Sequence, residues 1–211
     1  MENIFEEAKR KYGIEKFYAG LSGGKDSISC ADVADKLGCL DGCFFIDTTI
    51  GLPETKRFVE DYCKERGWNL TILTPKTSFE QFVMKFGFPT VMFHNVVMGK
   101  LKYQPMRDFI NSRPEKSAII SGVRKKESKR RGRTMSPILK DGRMIFVAPI
   151  FNWTTEQTWD YMRENLLPRS PAYETIGMSG DCLCGAFADG QEAVKIRQCY
   201  PEIANIISQL E

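Results

Sequence analysis

Ser22-Gly23-Gly24-Lys25-Asp26-Ser27 is the stretch of this 211-residue chain that decides its fold. It follows a short apolar run, Phe17-Tyr18-Ala19, and opens a helical pattern from Asp26 to Leu37. A strand, a glycine turn and a helix start, in that order, form a phosphate cradle. The two glycines let the backbone approach phosphate oxygens with no Cβ in the way. The free N–H groups of the first helical turn then face the anion, and the helix dipole adds to the attraction. Ser22 and Ser27 bring hydroxyl donors to the same oxygens. The Walker pattern is excluded, because it needs four residues between its glycines and a terminal Gly-Lys-Ser/Thr.

Working outward, the chain alternates strand and helix patterns. Glu2 to Lys11 is amphipathic, and the first strand is about Lys16 to Ala19. Cys43-Phe44-Phe45-Ile46 is a continuous apolar run, as a buried parallel strand requires. Pro53 opens a helix that runs to Gly67, Leu70 to Leu73 is a third strand, and Ser78 caps a helix from Phe79 to Phe86. Residues 87 to 100 read as aromatic and irregular. Gln104 to Ser112 is helical, Ser117 to Ser121 is a fourth strand, and Met144 to Val147 is a fifth. A helix capped by Thr154 or Thr155 runs through Met162, and a last helix starts at Pro201. This alternation predicts an α/β fold, a doubly wound open parallel sheet with helices on both faces. Ligands of such sheets lie at the carboxyl ends of the strands, where the loop after the first strand stands.

Composition sets the bounds. Hydrophobic residues make up 42% of the chain, enough for a core, and the net charge of +3 does not by itself argue for nucleic acid. The absence of a signal peptide and of an apolar run near membrane-spanning length predicts a soluble cytoplasmic protein with no membrane partner. Seven cysteines in that compartment are reduced thiols or ligands. The expected organisation is a nucleotide-binding α/β domain over residues 1–165, with a cysteine-containing extension, 166–211, packed on it.

The loop is similar to the pyrophosphate (PP) loop, Ser-Gly-Gly-x-Asp-Ser, of ATP pyrophosphatases that cleave at the α-phosphate. Further segments fall where strands end. Asp47-Thr48 with Leu52-Pro53-Glu54-Thr55 resembles the Asp-Thr-Gly…Phe-Pro-Glu-Thr element of the phosphoadenosine phosphosulfate (PAPS) reductase family. Gly122-Val123-Arg124, Glu127-Ser128 and Arg131 resemble its Gly-x-Arg-x-x-Glu-Ser-x-x-Arg element. Pro149-Ile150 and Trp153 resemble its Pro-Ile-x-x-Trp element. The resemblance implies an adenine nucleotide α-hydrolase-like sheet with strand order 3-2-1-4-5. Reductases of this family that take PAPS lack the full Gly-Gly-x-Asp-Ser set, so the complete loop favours the ATP-using sulfurtransferase members.

These residues imply roles. Ser22, Gly23, Gly24, Asp26 and Ser27 would seat the β,γ-pyrophosphate of ATP, with Mg²⁺ required. Asp47 either holds Mg²⁺ or a ribose hydroxyl, or caps the helix begun at Pro53. Gly122, Arg124 and Arg131 line the anion site, the arginines holding pyrophosphate or sulfate oxygens through paired donors. Lys25 adds point charge, and Lys102 adds it too or is solvated surface. The run from Lys125 to Arg133, dense in Lys and Arg, is either a solvated face or a nucleic-acid contact.

The tail carries the second clue, Gly180-Asp181-Cys182-Leu183-Cys184-Gly185, with Cys199 beyond it. The resembling sulfurtransferases hold a [4Fe–4S] cluster near this place with a Cys-x-x-Cys pair. Here the spacing is Cys-x-Cys, Val97 stands near the position of a further expected cysteine, and His94 is the nearby candidate ligand. Cys182, Cys184 and Cys199 are therefore candidate ligands of a [4Fe–4S] cluster or Zn²⁺, or else free or persulfide-carrying thiols. Cys30, Cys39, Cys43 and Cys63 fall on apolar faces and read as core.

The expected function is cleavage of ATP at the α-phosphate to adenylate an acceptor, followed by sulfur transfer. Lys25, Asp26, Arg124, Cys182 and Cys184 are the catalytic candidates. Reduction of PAPS or adenylyl sulfate, sulfate adenylyltransfer and nucleotide binding without catalysis are the alternatives. The acceptor, nucleic acid or small molecule, stays open, as do a sulfur-donor protein and a homodimer as partners.

Overall fold

A computed structural model describes residues 3–127, 136–185 and 190–210. Its centre is a six-stranded sheet of order β3-β2-β1-β4-β6-β5. The strands are β1 (Lys16–Leu21), β2 (Gly42–Ile46), β3 (Leu70–Leu73), β4 (Ser117–Ile120), β5 (Ile138–Asp141) and β6 (Met144–Val147). The first four and β6 are parallel, with Ala19 opposite both Cys43 and Ile120, and Ile120 opposite Val147. The expected order 3-2-1-4-5 is therefore present, with Met144–Val147 as its fifth strand.

One expectation is corrected: the sheet is not wholly parallel. β5 pairs antiparallel with β6, Leu139 opposite Phe146 and Asp141 opposite Met144. A two-residue turn, Gly142-Arg143, joins them, and Gly142 takes the positive φ of 60° that such a turn demands. Pro137 and the charged Lys140 and Asp141 made this edge strand read as loop. Those are residues that edge strands tolerate.

Alternation along β1 builds two cores. Phe17, Ala19 and Leu21 face one side, with Phe5, Ile28, Ala31, Val59 and Met162. There lie α1 (Ile4–Tyr12), α2 (Lys25–Lys36), α3 (Pro53–Arg66) and a helix over Thr155–Glu164. Tyr18 faces the other side, with Phe44, Phe109, Ile119 and Met144. A third apolar cluster fastens the tail, packing Ala172, Ile176, Leu183 and Ile196 against Ile50, Leu52, Phe79, Phe82 and Leu101.

Helix ends follow local chemistry. Asn3 caps α1 through the Phe5 N–H, and left-handed Gly13 and Gly67 end α1 and α3. Ser78 and Gln81 form a capping box on α4 (Phe79–Phe86). Residues 87 to 100, expected to be irregular, are instead largely helical. A 3₁₀ turn (Val91–Phe93) leads into α5 (His94–Met98), a π turn (Gly99–Tyr103) and α6 (Gln104–Asn111). The wide turn stands just before Pro105, which has no N–H to give to a carbonyl four residues back. Thr154 caps the Thr155–Glu164 helix, α7, with Gln157 completing its box. The tail adds α8 (Ala172–Thr175), α9 (Gly190–Cys199), which the sequence reading missed, and α10 (Pro201–Leu210). Among the described residues no helix is long and apolar enough to cross a membrane.

Asp32 ties the helices of the first face together. Its buried carboxylate meets Arg66 of α3 at 2.9 Å, Lys36 of α2 at 2.8 Å and the Tyr161 hydroxyl of α7 at 2.6 Å. Burial works to raise this carboxyl, but Lys36, Tyr161 and Arg66 outweigh it and hold it below its ordinary value. The unfolded chain then binds the extra proton first, so this stabilisation is complete above about pH 4 and is lost as pH falls through the lower native value. Asp32→Asn should cost about 1–3 kcal/mol at neutral pH, because it removes charged hydrogen bonds. Urea melts from pH 7 down to acid should show the loss shrinking as the native protein loses the same charge.

Candidate nucleotide site

The loop after β1 is closed from within. The Ser27 hydroxyl accepts the Ser22 backbone N–H at 3.2 Å and donates to the Gly24 carbonyl at 2.9 Å, with Ser22 Oγ 3.1 Å away. Ser27 is thus engaged in shaping the loop, while Ser22 lines the cleft described below. Gly23 has φ 76°, and a Cβ there would stand 3.1 Å from Thr55 Cγ2 and 3.2 Å from Ser170 Cβ. Gly24 is the N-cap of α2 and gives it no side-chain cap, so the helix's first amides are not closed off by their own loop. The Tyr173 hydroxyl lies at this end, against the Lys25 N–H; burial raises its pKa and that N–H pulls it back.

Charge is set around the loop in pairs. Asp26 Oδ1 receives Arg124 Nε at 2.6 Å, and its Oδ2 receives Lys25 Nζ at 2.8 Å. Arg124 is 2% exposed, and its Nη1 also reaches Thr155 Oγ1 at 3.3 Å. Arg124, expected as an anion clamp, is here buried and braces the loop through Asp26. Gly122 presses against the same turn, and a Cβ there would stand 3.0 Å from Asp26 and from the Ser27 nitrogen. Lys25 also lies 5.8 Å from the Trp159 ring centroid, and Arg169 stacks on Trp159 and Tyr173. Arg169, Trp159 and Tyr173 carry no motif, and the sequence reading missed them. Arg131 and most of the Lys125–Arg133 run lie outside the described residues.

Beside the loop a cavity of about 270 Å³ opens at the carboxyl ends of β1 and β4. These neighbours are where the strand order reverses direction, the place a doubly wound sheet offers to ligands. Phe44, Met106, Ile119, Leu139 and Phe146 supply apolar walls, and Ser22, Ser121, Lys102 and Asp181 supply polar ones. Lys102 meets Asp181 at 2.6 Å. Burial works to lower Lys102, but Asp181 and the two nearby thiols raise it above its ordinary value. Burial likewise works to raise Asp181, and Lys102 overcomes it. Asp47 stands off this cavity. It accepts the Thr49 N–H at 3.1 Å in a local turn and pairs with Lys56 at 3.0 Å. The expected cap of the helix begun at Pro53 is corrected, because that helix has Leu52 as its N-cap and no side-chain bond there.

The tail is sewn onto the loops by backbone bonds. Ser170 N–H donates to the Gly23 carbonyl, Leu52 N–H to Gly180, and Leu183 N–H to Ile50. Cys182 and Cys184 follow Asp181 on this segment and share a hydrogen bond. That bond first, and burial second, hold the Cys182 thiol well above its ordinary pKa, while Lys102 pulls it down.

Residues 16–181 match the phosphoadenosine phosphosulfate reductase domain. The chain belongs to the PAPS reductase family. Adenosine 5'-phosphosulfate reductase of Oceanobacillus iheyensis is 28% identical over 186 residues, 85% of this chain and 75% of that one. An uncharacterized protein of Methanocaldococcus jannaschii is 26% identical over 211 residues, 97% of this chain but only 49% of its own length. The chain thus spans about half of that archaeal relative. The crystal structure of PAPS reductase from Candida auris superposes with a TM-score of 0.59 at 21% identity, covering 81% of this chain and 83% of that one. U34-tRNA thiolase of Methanococcus maripaludis, with its [4Fe–4S] cluster, superposes with a TM-score of 0.54 at 12% identity, covering 98% and 78%. The two structural likenesses show a shared fold.

The iron–sulfur and zinc expectations for this PAPS reductase-family chain meet a misfit. Among the described residues no three His, Cys, Asp or Glu side chains gather as a metal site, and Cys199 does not join Cys182 and Cys184. A cubane cluster or a structural zinc asks for about four ligands, so the three-cysteine ligand set is corrected to a two-thiol pair. Magnesium is a different case. Asp26, Asp47 and Asp181 each already face a Lys or Arg. These residues suit a cation carried by the nucleotide's own phosphates, with Asp26 nearest the loop, rather than a cage of free acids.

The shared proton of the thiol pair gives a direct prediction. Cys184→Ala removes the main cause that raises Cys182. The pH profile of Cys182 alkylation, followed by peptide mass spectrometry, should then move to lower pH and the rate at pH 7 should rise by about three- to tenfold.

Proposed function

We propose that this chain binds ATP and activates an acceptor by adenylation for sulfur transfer. The observation that carries the reading is the complete Ser22–Ser27 loop, braced by Arg124 and Gly122, opening onto an apolar cavity at the β1–β4 switch point. In this reading the β,γ-pyrophosphate rests on the loop and the α2 amides, and the adenosine enters the cavity between Phe44, Ile119 and Phe146. The α-phosphorus then lies between the loop and the Lys102–Asp181 pair. An acceptor oxygen attacks it, the α–β bridging bond breaks, and pyrophosphate leaves on the positive end of α2. Lys25 and Arg169 add charge at that exit. The chain's part is orientation and preorganised electrostatics. Magnesium bound with the nucleotide would neutralise charge on the leaving pyrophosphate. Cys182, one residue past the cavity wall, would carry a persulfide loaded by a sulfur-donor protein. Its outer sulfur attacks the adenylated carbon and AMP leaves. The Cys184 thiol then attacks the Cys182 sulfur, releasing the thiolated acceptor and leaving a Cys182–Cys184 disulfide for an external thiol to reduce.

Incubation with ATP, Mg²⁺ and candidate acceptors should release pyrophosphate. The Ser22→Ala, Asp26→Ala double variant should slow that release by at least about 10²-fold, the scale of a lost charge-stabilising contact. Release that survives the double change would remove the proposal.

A second reading, reduction of adenylyl sulfate, is favoured by the likeness to adenosine 5'-phosphosulfate reductases and by a thiol beside the cavity. Here the Cys182 sulfur attacks the sulfonate sulfur, AMP leaves, and a second thiol releases sulfite from the thiosulfonate. It predicts sulfite from adenylyl sulfate and a dithiol reductant, abolished in Cys182→Ser. Sulfite formation without any ATP-dependent pyrophosphate release would replace the first reading with this one.

A further inference from the structure

The opposite end of the sheet, at the amino ends of β1, β4 and β6, holds a second cavity of about 300 Å³. That is the lower size range of small-molecule sites, about 300–1,000 Å³. Its lining includes Arg113, Lys116, Lys140 and Arg143, and Glu115 is its one carboxylate. Elsewhere in this chain lysines and arginines commonly pair with acids, twelve such bridges being present among the described residues. None of them includes any of these four cations. Glu115 accepts the Tyr18 hydroxyl at 2.9 Å, faces Ser117 Oγ at 3.4 Å and lies within the field of Arg113, so one acid answers four cations. Four positive charges around one concavity with a single occupied acid is an arrangement that folding alone does not favour.

Arg113 supplies an independent observation. Its guanidinium carbon lies 4.2 Å from the Phe109 ring centroid and 5.0 Å from that of Tyr18. Its Nε is buried and has no hydrogen-bond partner. A guanidinium fixed on aromatic rings is also preorganised to present its planar donor edge to an oxyanion. The nucleotide reading does not use this end of the molecule, and the two cavities share no lining residue.

We propose that this cavity is an oxyanion site that takes a phosphate group, held by Arg113 with Lys116, Lys140 and Arg143. A free phosphate compound and a nucleic-acid backbone present the same chemistry, and the experiment separates them. Isotope-labelled full-length protein is titrated with inorganic pyrophosphate in one arm and with a short unstructured RNA in the other. Backbone amide signals of Lys116, Gly142 and Arg143 should shift saturably, apart from those of Gly23 and Gly24. Lys140→Glu with Arg143→Glu, both near a hairpin turn, should weaken this binding by about tenfold or more, judged by the loss of two charged contacts. ATP binding at the loop should stay as it was. Shifts with pyrophosphate alone assign a free phosphate compound. Shifts with RNA, whose log affinity against log salt flattens by roughly 0.7 per contact removed, assign a backbone phosphate. If the charge-reversed variant loses its circular dichroism signature, Lys140→Gln with Arg143→Gln takes its place. No shift at these amides with either probe, or shifts undiminished in a folded variant, overturns the proposal.

Discussion

The structure depends on keeping the first turn of α2 open in front while fixing it from behind. The Tyr173 hydroxyl meets the Lys25 N–H, so an anion is drawn to the α2 amides that follow it, provided the turn does not relax to satisfy them itself. The Asp26–Arg124 pair supplies the rear fixation. A buried guanidinium without a carboxylate would be costly, and Asp26 without Arg124 would be free to swing into the anion's place. Gly122 at van der Waals limit and the Ser27 hydroxyl inside the loop complete the rigid backing. The front keeps Ser22, the α2 amides and the cleft.

Much of this was legible in the chain. The loop motif lies between a strand and a helix, so its chemistry and its place in the fold were one observation. The continuous apolar run Cys43 to Ile46, rich in aromatic and branched residues and too short for a helix, read as a buried strand. Ser78 and the Thr154-Thr155 pair announced helix starts as residues whose hydroxyls suit a first turn, and Pro53 did so through its fixed φ. What was hidden depended on long-range contact. No local pattern says that Arg124 turns inward to Asp26, since arginine usually ends in solvent. Nothing in the spacing of Lys102 and Asp181 says that they meet. Gly122 was matched as part of a motif, but its reason, clearance for the turn of α2, needed the packed neighbour. The edge strand was missed because it uses the residues that also make loops.

The tail changes meaning once it is seen in place. Read linearly, Cys182, Cys184 and Cys199 invite a metal. Folded, Leu183 anchors between the two thiols, the backbone of 180–183 bonds to 50–52, and Cys199 ends a separate helix. What remains is a pair of sulfurs held beside Asp181 and Lys102. A helical turn of unusual width brings Lys102 there, and deleting one residue from that turn would rotate its side chain by about 100°.

The hairpin of β5 and β6 has a consequence that neither cavity shows alone. Its base, Ser136 to Leu139 with Phe146, walls the cleft beside the nucleotide loop, and its tip, Lys140 to Arg143, rims the basic hollow at the far end. A single ribbon of four residue pairs therefore touches both mouths. Sliding one strand by two residues would keep every side chain on its face yet carry both walls along by about 7 Å. The two ends of the molecule thus share one short ladder of paired strands.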